Sequence, residues 1–238
     1  MKVLALISGG KDSVFNMVKC VEKGHEIVAL ANALPPSNSE KEELDSFLFQ
    51  TVGQSSVHYI AQCMDLPLYQ VEINGLPVNQ SLDYEKTIND ETEDLYVLVK
   101  KALDKHPDIG GVSVGAILSS YQSNRVKNIL GLQMLAYLWQ RDQGELLSEM
   151  IDNNMNSILI KVAGIGLGKD DLCKSLSEMK EKLEMLASGE YETFTLDCPL
   201  FKKKIEIVEW EPITHSDSAF ASVYYVNFKK IVLKEKNI

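Results

Sequence analysis

The chain has 238 residues, and 24 Lys and Arg against 34 Asp and Glu leave a formal charge of −10. With about 150 residues per domain as a loose norm, that length suits one large domain or two small ones, and such a chain buries roughly 70% of the surface its unfolded form exposes, so neither disulfides nor a structural metal are needed. The acidic balance argues against a large duplex-binding surface, which needs clustered cations, but not against a local pocket for an anionic small molecule. Val3 to Ile7 is an unbroken apolar run ended by Ser8-Gly9-Gly10, the pattern of a strand buried on both faces. Asp12 to Lys23 follows with apolar positions on one helical face, stopped by Gly24, and Ile27 to Leu34 is a second apolar run ended by Pro35-Pro36. Strand, helix and strand within 34 residues make a βαβ unit, and right-handed crossovers of this kind build parallel sheets.

The pattern continues less regularly. Glu42 to Met64 is helix-like with an interruption near Gly53, Leu68 to Ile73 strand-like, and Asn74 to Asn89 an exposed loop. A helix is expected over Asp90 to Leu103, a strand over Gly111 to Val114, a helix over Ser119 to Leu130 and a strand over Met134 to Leu138. A helix over Asp142 to Ile151 and a strand over Ser157 to Val162 come next. Beyond Ala163 the composition shifts: Gly164, Gly166 and Gly168 precede a helical stretch from Asp170 to Leu186, and β-branched and aromatic runs follow from Phe194. The fold expected is α/β, an open parallel Rossmann-like sheet with helices on both faces, plus a smaller α+β C-terminal domain. Residues 1–131 are expected to form the first part and 132–238 the second, with a soft boundary between Gly131 and Gly164.

Cys20, Cys63, Cys173 and Cys198 show no C-x-x-C spacing, so a zinc site or redox dithiol is not indicated and buried free thiols are expected. The apolar start, Met1 to Ile7, is too short for a signal sequence, and no run approaches the roughly 20 residues that span a bilayer. A soluble cytoplasmic protein without membrane contact is the expectation.

The sharpest local signal is Ser8-Gly9-Gly10-Lys11-Asp12-Ser13, placed between the first strand and the first helix. Two glycines permit a tight turn and close backbone approach, N–H groups point inward, and the helix adds its partial positive end. Lys11 and the Ser8 and Ser13 hydroxyls complete an anion cradle, while Asp12 either orients a metal or caps the helix. The string is neither a Walker A loop nor a dinucleotide G-x-G-x-x-G. A plain βα turn would also read this way, but its place at the C-terminal end of the first parallel strand favours phosphate binding.

That loop resembles the PP-loop, S-G-G-x-D-S, of the adenine nucleotide alpha hydrolases, which grips the pyrophosphate part of ATP. The resemblance narrows over nearly the whole chain. The segments Glu43 to Phe47, Gln50 to Gly53, Val114 to Ser119, Tyr121-Gln122, Arg125-Val126, Tyr137 to Gln143 and Gly189 to Thr193 are similar to the diphthine–ammonia ligase family. The resemblance implies ATP-dependent amidation, with ammonium, of the diphthine carboxylate on translation elongation factor 2 through an acyl-adenylate. The products are diphthamide, AMP and pyrophosphate. ATP and Mg²⁺ are the implied cofactors, and the implied partners are the protein substrate and ammonium, with no direct nucleic acid and with a homodimer left open.

Residue by residue, the resemblance places Ser8, Gly9, Gly10, Lys11, Asp12 and Ser13 on the phosphates, with Asp12 the candidate Mg²⁺ ligand. Asp45, Ser46 and Gln50 would surround the adenosine, and Gly115, Ala116 and Ile117 would lie beside the nucleotide with Ser119, Gln122 and Arg141. Lys11, Asp12, Arg125, Glu190 and Glu192 are the expected catalytic residues, with Arg125 offsetting charge at the α-phosphate. Tyr121, Glu190, Tyr191, Glu192 and Thr193 are the expected substrate contacts. Glu190 and Glu192 would share a side if extended and so attract and deprotonate ammonium, since the nucleophile is neutral ammonia; as bare composition they read as a solvated acidic turn. The family carries a longer segment ending in Cys-Gly-Glu-Gly-Gly before this motif, whereas Leu186-Ala187-Ser188-Gly189 runs straight in here, and Asn128 to Gly131 is also a few residues short.

His215-Ser216-Asp217 reads as structural, and Lys202-Lys203-Lys204 as a solvated basic turn. No cysteine sits in a glutaminase-like context, so free ammonium is the expected donor. Two alternatives come from other classes: a nucleotide-binding sensor like the universal stress proteins, and a tRNA-modifying enzyme on the same scaffold. The loop and the carboxylate pair speak against the first, the charge and the missing cysteine pair against the second.

Overall fold

The structure, a computed structural model, describes residues 1–36, 52–76, 78–79, 86–117, 132–164, 166–186, 190–216 and 222–236. The first apolar run is strand β1 (Lys2–Leu6), followed by α1 (Lys11–Glu22) and β2 (Glu26–Leu34). A 3-10 turn (Gln54–Ser56) leads into α2 (Val57–Met64), then β3 (Leu68–Glu72), α3 (Glu91–Leu103), β4 (Ile109–Ser113) and β5 (Gln133–Leu135). All pairings among these strands are parallel, in the order β3-β2-β1-β4-β5. Strand order reverses between β1 and β4, so the crevice beyond their carboxyl ends is the switch point where sheets of this kind take ligands. Right-handed crossovers send α1 and α2 to one face, where they join the larger apolar core, and α3 to the other, against Leu4, Ala29 and Val112.

The second sheet is antiparallel, in the order β7-β6-β9-β8. It is built from β6 (Asn156–Ala163), β7 (Glu190–Asp197), β8 (Lys203–Ser216) and β9 (Val223–Glu235), with α4 (Gln143–Asp152) and α5 (Leu176–Met185) between strands in sequence. Ile160, Val162 and Phe194 of this sheet share one buried cluster with Val14 and Phe15 of α1 and Val57 and Ile60 of α2. The α1–α2 layer is thus covered by the parallel sheet on one side and by the antiparallel sheet on the other. The expected α/β fold with an antiparallel addition is the fold observed.

Two expectations differ in detail. Asp170 to Leu186 is not one helix: a 3-10 turn (Lys169–Asp171) gives way to Cys173 at φ 61, and α5 begins only after Ser175. Ser175 accepts from the Glu178 N–H while the Glu178 carboxylate accepts from the Ser175 N–H at 2.7 Å, a reciprocal cap that starts a new helix. Met134 to Leu138 is strand only as β5, after which the chain turns through Ala136 to Gln140. The expected helix over 119–130 and the first part of the one beginning at Glu42 lie outside the described residues.

Candidate functional site

The Ser8–Ser13 loop leaves β1 at the switch point and is held largely by itself. The Gly10 N–H donates to Ser8 Oγ at 3.3 Å, Ser13 Oγ donates to the Gly10 carbonyl at 3.0 Å, and the Ser8 N–H reaches Ser13 Oγ at 3.4 Å. Gly9 adopts φ +86, a conformation side chains rarely take, and a Cβ there would stand 3.1 Å from the Phe194 ring. No side chain caps α1 at Gly10, and of the N–H groups in its first turn that of Lys11 is answered by Thr193; a helix N-terminus at this place is where an anion is favoured.

Gly115 follows β4 on the opposite lip. A Cβ at this position would fall 2.5 Å from the Ser13 nitrogen and 2.7 Å from the Asp12 carbonyl carbon. The close approach that glycine permits here is to the first turn of α1, which seats the loop. Ala116 is buried and Ile117 half-buried, and the Ile117 carbonyl accepts from the Gln140 N–H at 2.8 Å.

Strand β7 supplies the third wall. The Lys11 N–H donates to Thr193 Oγ1 at 2.9 Å, and the Thr195 N–H donates to the Gly9 carbonyl at 2.9 Å. The loop is therefore bound to the same strand that carries Glu190, Tyr191 and Glu192. Those three side chains, Lys11, Lys161 and Gln143 line a cavity of about 240 Å³. Lys11 Nζ meets both Asp12 carboxylate oxygens, at 2.9 and 2.8 Å, and lies 5.3 Å from the Tyr191 ring centroid. Burial works against the Lys11 charge, yet Asp12 and Tyr191 outweigh it and raise its pKa above the ordinary lysine value. Burial also pushes the Tyr191 hydroxyl up, partly offset by Lys11.

The two carboxylates are not alike. Glu190 is exposed and stands opposite Ala163, whereas Glu192 stands opposite Lys161 with Oε1 3.3 Å from its Nζ. Arg141 pairs with Glu149 of α4 at 2.7 Å, and Glu149 also meets Lys19 of α1 at 2.5 Å. Burial opposes ionisation of Glu149, but these two cations hold its carboxyl below the usual range. Asp45, Ser46, Gln50, Ser119, Tyr121, Gln122 and Arg125 lie outside the described residues.

Buried amides that the sequence reading passed over position the loop. Asn32 Nδ2 donates to the Ile7 carbonyl at 3.0 Å and to Gln54 Oε1, Gln70 Nε2 donates to Asn32 Oδ1 at 2.9 Å, and Gln54 Nε2 donates to the Ser8 carbonyl at 3.2 Å. Asn16, fully buried, donates to Ser113 Oγ at 2.7 Å and to the Leu135 carbonyl at 2.8 Å while accepting from the Tyr137 N–H at 2.7 Å, locking α1 onto β4 and β5. The signal was Asn32 in an apolar strand and Asn16 on an apolar helix face, because a buried polar side chain must be answered by partners. The basic run is engaged at the surface, Lys202 with Asp65 and Lys203 with Glu235. His215 packs beside Tyr225, and Asp217 lies outside the described residues. All four cysteines are free; burial raises their thiols, to about 11 at Cys63 and about 12 at Cys173 and Cys198. Among the described residues no three His, Cys, Asp or Glu side chains converge on a metal position, and no helix is long and apolar enough to cross a membrane.

Comparison with known sequences shows the family. The family model for the diphthamide synthase N-terminal domain matches residues 1–133, and that for the diphthamide synthase C-terminal domain matches residues 142–228. The diphthine–ammonia ligase of Danio rerio is 53% identical over 251 residues, covering 99% of this chain and 98% of its own length. That of Homo sapiens is 49% identical, covering 99% of this chain and 94% of its own. The Schizosaccharomyces pombe protein of that name is 51% identical over 98% of this chain, which spans 40% of the yeast protein's length. With both parts matched by the family models and about half the residues shared over nearly the whole length, the chain belongs to the diphthamide synthase family and is an enzyme of that family.

Proposed function

We propose that this chain catalyses the last step of diphthamide formation, the ATP-dependent amidation of the diphthine carboxylate of elongation factor 2 by ammonium, releasing AMP and pyrophosphate. The observation that carries the reading is the union, on one strand, of the loop's anchor and the carboxylate pair: Thr193 holds Lys11, and Glu190 and Glu192 share a cavity with it. A carboxylate is no electrophile and its oxygen is a poor leaving group. Transfer of an adenylyl group from ATP to that oxygen supplies both needs, and the bond broken lies between the α and β phosphates. A loop that grips the outgoing pyrophosphate favours this cleavage.

The residues fit ATP. Gly9 at φ +86 lets the turn close tightly, α1 begins at the same turn and adds its partial positive end, and Lys11 brings a cation that Asp12 keeps charged. Mg²⁺ would be held by Asp12, the carboxylate of the loop itself, and would supply positive charge to offset that of the phosphates. Residues 1–131 hold the nucleotide and 132–238 the protein substrate, with Tyr191 and Thr193 at the junction. Ser8 to Ser13 cradle the phosphates, Gly115 to Ile117 flank the nucleotide, and Glu190 and Glu192 serve the ammonium. Asp45, Ser46, Gln50, Ser119 and Gln122 add to the nucleotide's surroundings, Tyr121 contacts the substrate and Arg125 meets the α-phosphate. A cytoplasmic setting goes with the free, protonated thiols. The sensor alternative is not favoured, because a sensor needs no carboxylate pair beside its phosphate loop.

The reading is tested by incubating the protein with Mg·ATP, ammonium and diphthine-bearing elongation factor 2 and identifying the nucleotide product. AMP with pyrophosphate, together with a protein product lighter by the difference between a hydroxyl and an amino group, is expected; ADP, or no turnover, overturns it.

A further inference from the structure

We infer that Lys161 is a positioning residue of the amidation site, pinning Glu192 and leaving Glu190 as the carboxylate that receives ammonium. The inference rests on the reading under Proposed function and refines it by giving the two carboxylates different tasks.

Lys161 lies on β6, the neighbour of β7, where the register sets it opposite Glu192, and on its other side opposite Tyr225 of β9. Side chains directly opposite in adjacent strands share a face and stand close enough to interact. Nζ is 3.3 Å from Glu192 Oε1, and the side chains are only 18% and 26% exposed. A carboxylate met at that distance, largely out of water, already has its charge answered. An arriving ammonium would have to compete with a cation tethered to the same sheet.

Glu190 is two residues away on the same face of β7, opposite Ala163, which brings no charge. It is exposed, and among the described residues it has no ion-pair partner. Both carboxylates line the cavity with Lys11, whose own charge is answered by Asp12. The Lys161–Glu192 pair fixes β6 against β7, while Glu190 keeps an open carboxylate at the mouth.

The test uses the full chain and four variants, E190Q, E192Q, K161M and K161R, each first checked for native circular dichroism. In steady-state amidation, E190Q raises the KM for ammonium by at least about tenfold with the KM for ATP nearly unchanged. E192Q and K161M instead lower kcat by about tenfold with little change in the KM for ammonium, and K161R restores most of the loss. In a second arm without substrates, binding of ammonium to the enzyme is followed by nitrogen NMR line broadening; E190Q abolishes it and E192Q retains it. An E192Q enzyme that loses ammonium as completely as E190Q, or a K161M enzyme with wild-type kcat, overturns the inference. Absence of amidation by the wild-type chain would count against the proposed function, while the ammonium-binding arm still decides between the two carboxylates.

Discussion

The main-chain N–H of Lys11 donates to Thr193 Oγ1 at 2.9 Å, joining residues 182 apart in the chain. One is the first residue of α1 in the phosphate loop, the other lies one position past Glu192 on β7. Because the Thr195 N–H also holds the Gly9 carbonyl, the loop and the acidic strand form one rigid corner. Where the loop grips phosphate, the register of β7 dictates where the carboxylates stand.

Thr193→Val removes the acceptor and keeps the shape. The part-buried Lys11 N–H then has no answer from β7, a loss of about 1 kcal/mol. The KM for ATP should rise roughly fivefold to tenfold, with the melting temperature little altered and Thr193→Ser close to wild type. Initial-rate measurements at varied ATP decide the point; an unchanged KM would mean the contact does not set the loop.

Gly115→Ala should damage the site without touching a ligand. The new methyl would lie 2.5 Å from the Ser13 nitrogen, so backbone must move and the first turn of α1 shifts with it. Displacements of this order cost about a hundredfold in rate when the displaced group positions substrate. Pyrophosphate release should fall by about that factor; wild-type turnover in Gly115→Ala would show that the close packing is dispensable.

Much of the corner's first half was legible because its parts are contiguous. Ser8 to Ser13 follows an apolar run and opens an amphipathic helix, so strand, turn and helix are readable from neighbouring residues alone. Glu190 and Glu192 were readable as a same-side pair by strand periodicity. What spacing does not carry is which distant residue answers which. Glu192 meets Lys161 only through the β6–β7 register, and Arg141 meets Glu149 of α4, a pairing no local motif announces. Asn32 is a polar residue within the apolar run of β2, and it is the centre of the Gln70–Asn32–Gln54 chain of amides. The break before α5 had a readable cause in Ser175 and Glu178, the reciprocal cap spacing.

Lys11 supplies a pH prediction. Burial lowers its pKa, but the Asp12 and Tyr191 contributions outweigh that and leave it raised. Its contribution to stability is therefore complete below the ordinary lysine value and is lost only as pH rises through the higher folded value. No break in turnover or melting temperature attributable to Lys11 should occur between about pH 7 and 9. Asp12→Ala should abolish pyrophosphate release while circular dichroism stays native; unchanged turnover would remove Asp12 from the mechanism.

The cysteines should be inert. With Cys63 raised to about 11 and Cys173 and Cys198 to about 12 by burial, thiolate is scarce near neutral pH. Native protein treated with iodoacetamide should show little modification by mass spectrometry until denatured, and glutamine should not replace ammonium. Rapid labelling of one thiol, with glutamine-dependent turnover, would point to a different nitrogen source.

The account's central claim is that this chain couples ATP cleavage at the α-phosphate to amide formation on diphthine. Its most direct measurement follows isotope-labelled ammonium into elongation factor 2 while counting nucleotide products. One labelled amide nitrogen on the diphthine side chain for each AMP released is the predicted result. Label that never reaches the diphthine side chain, or amide formed with ADP in place of AMP, would contradict it.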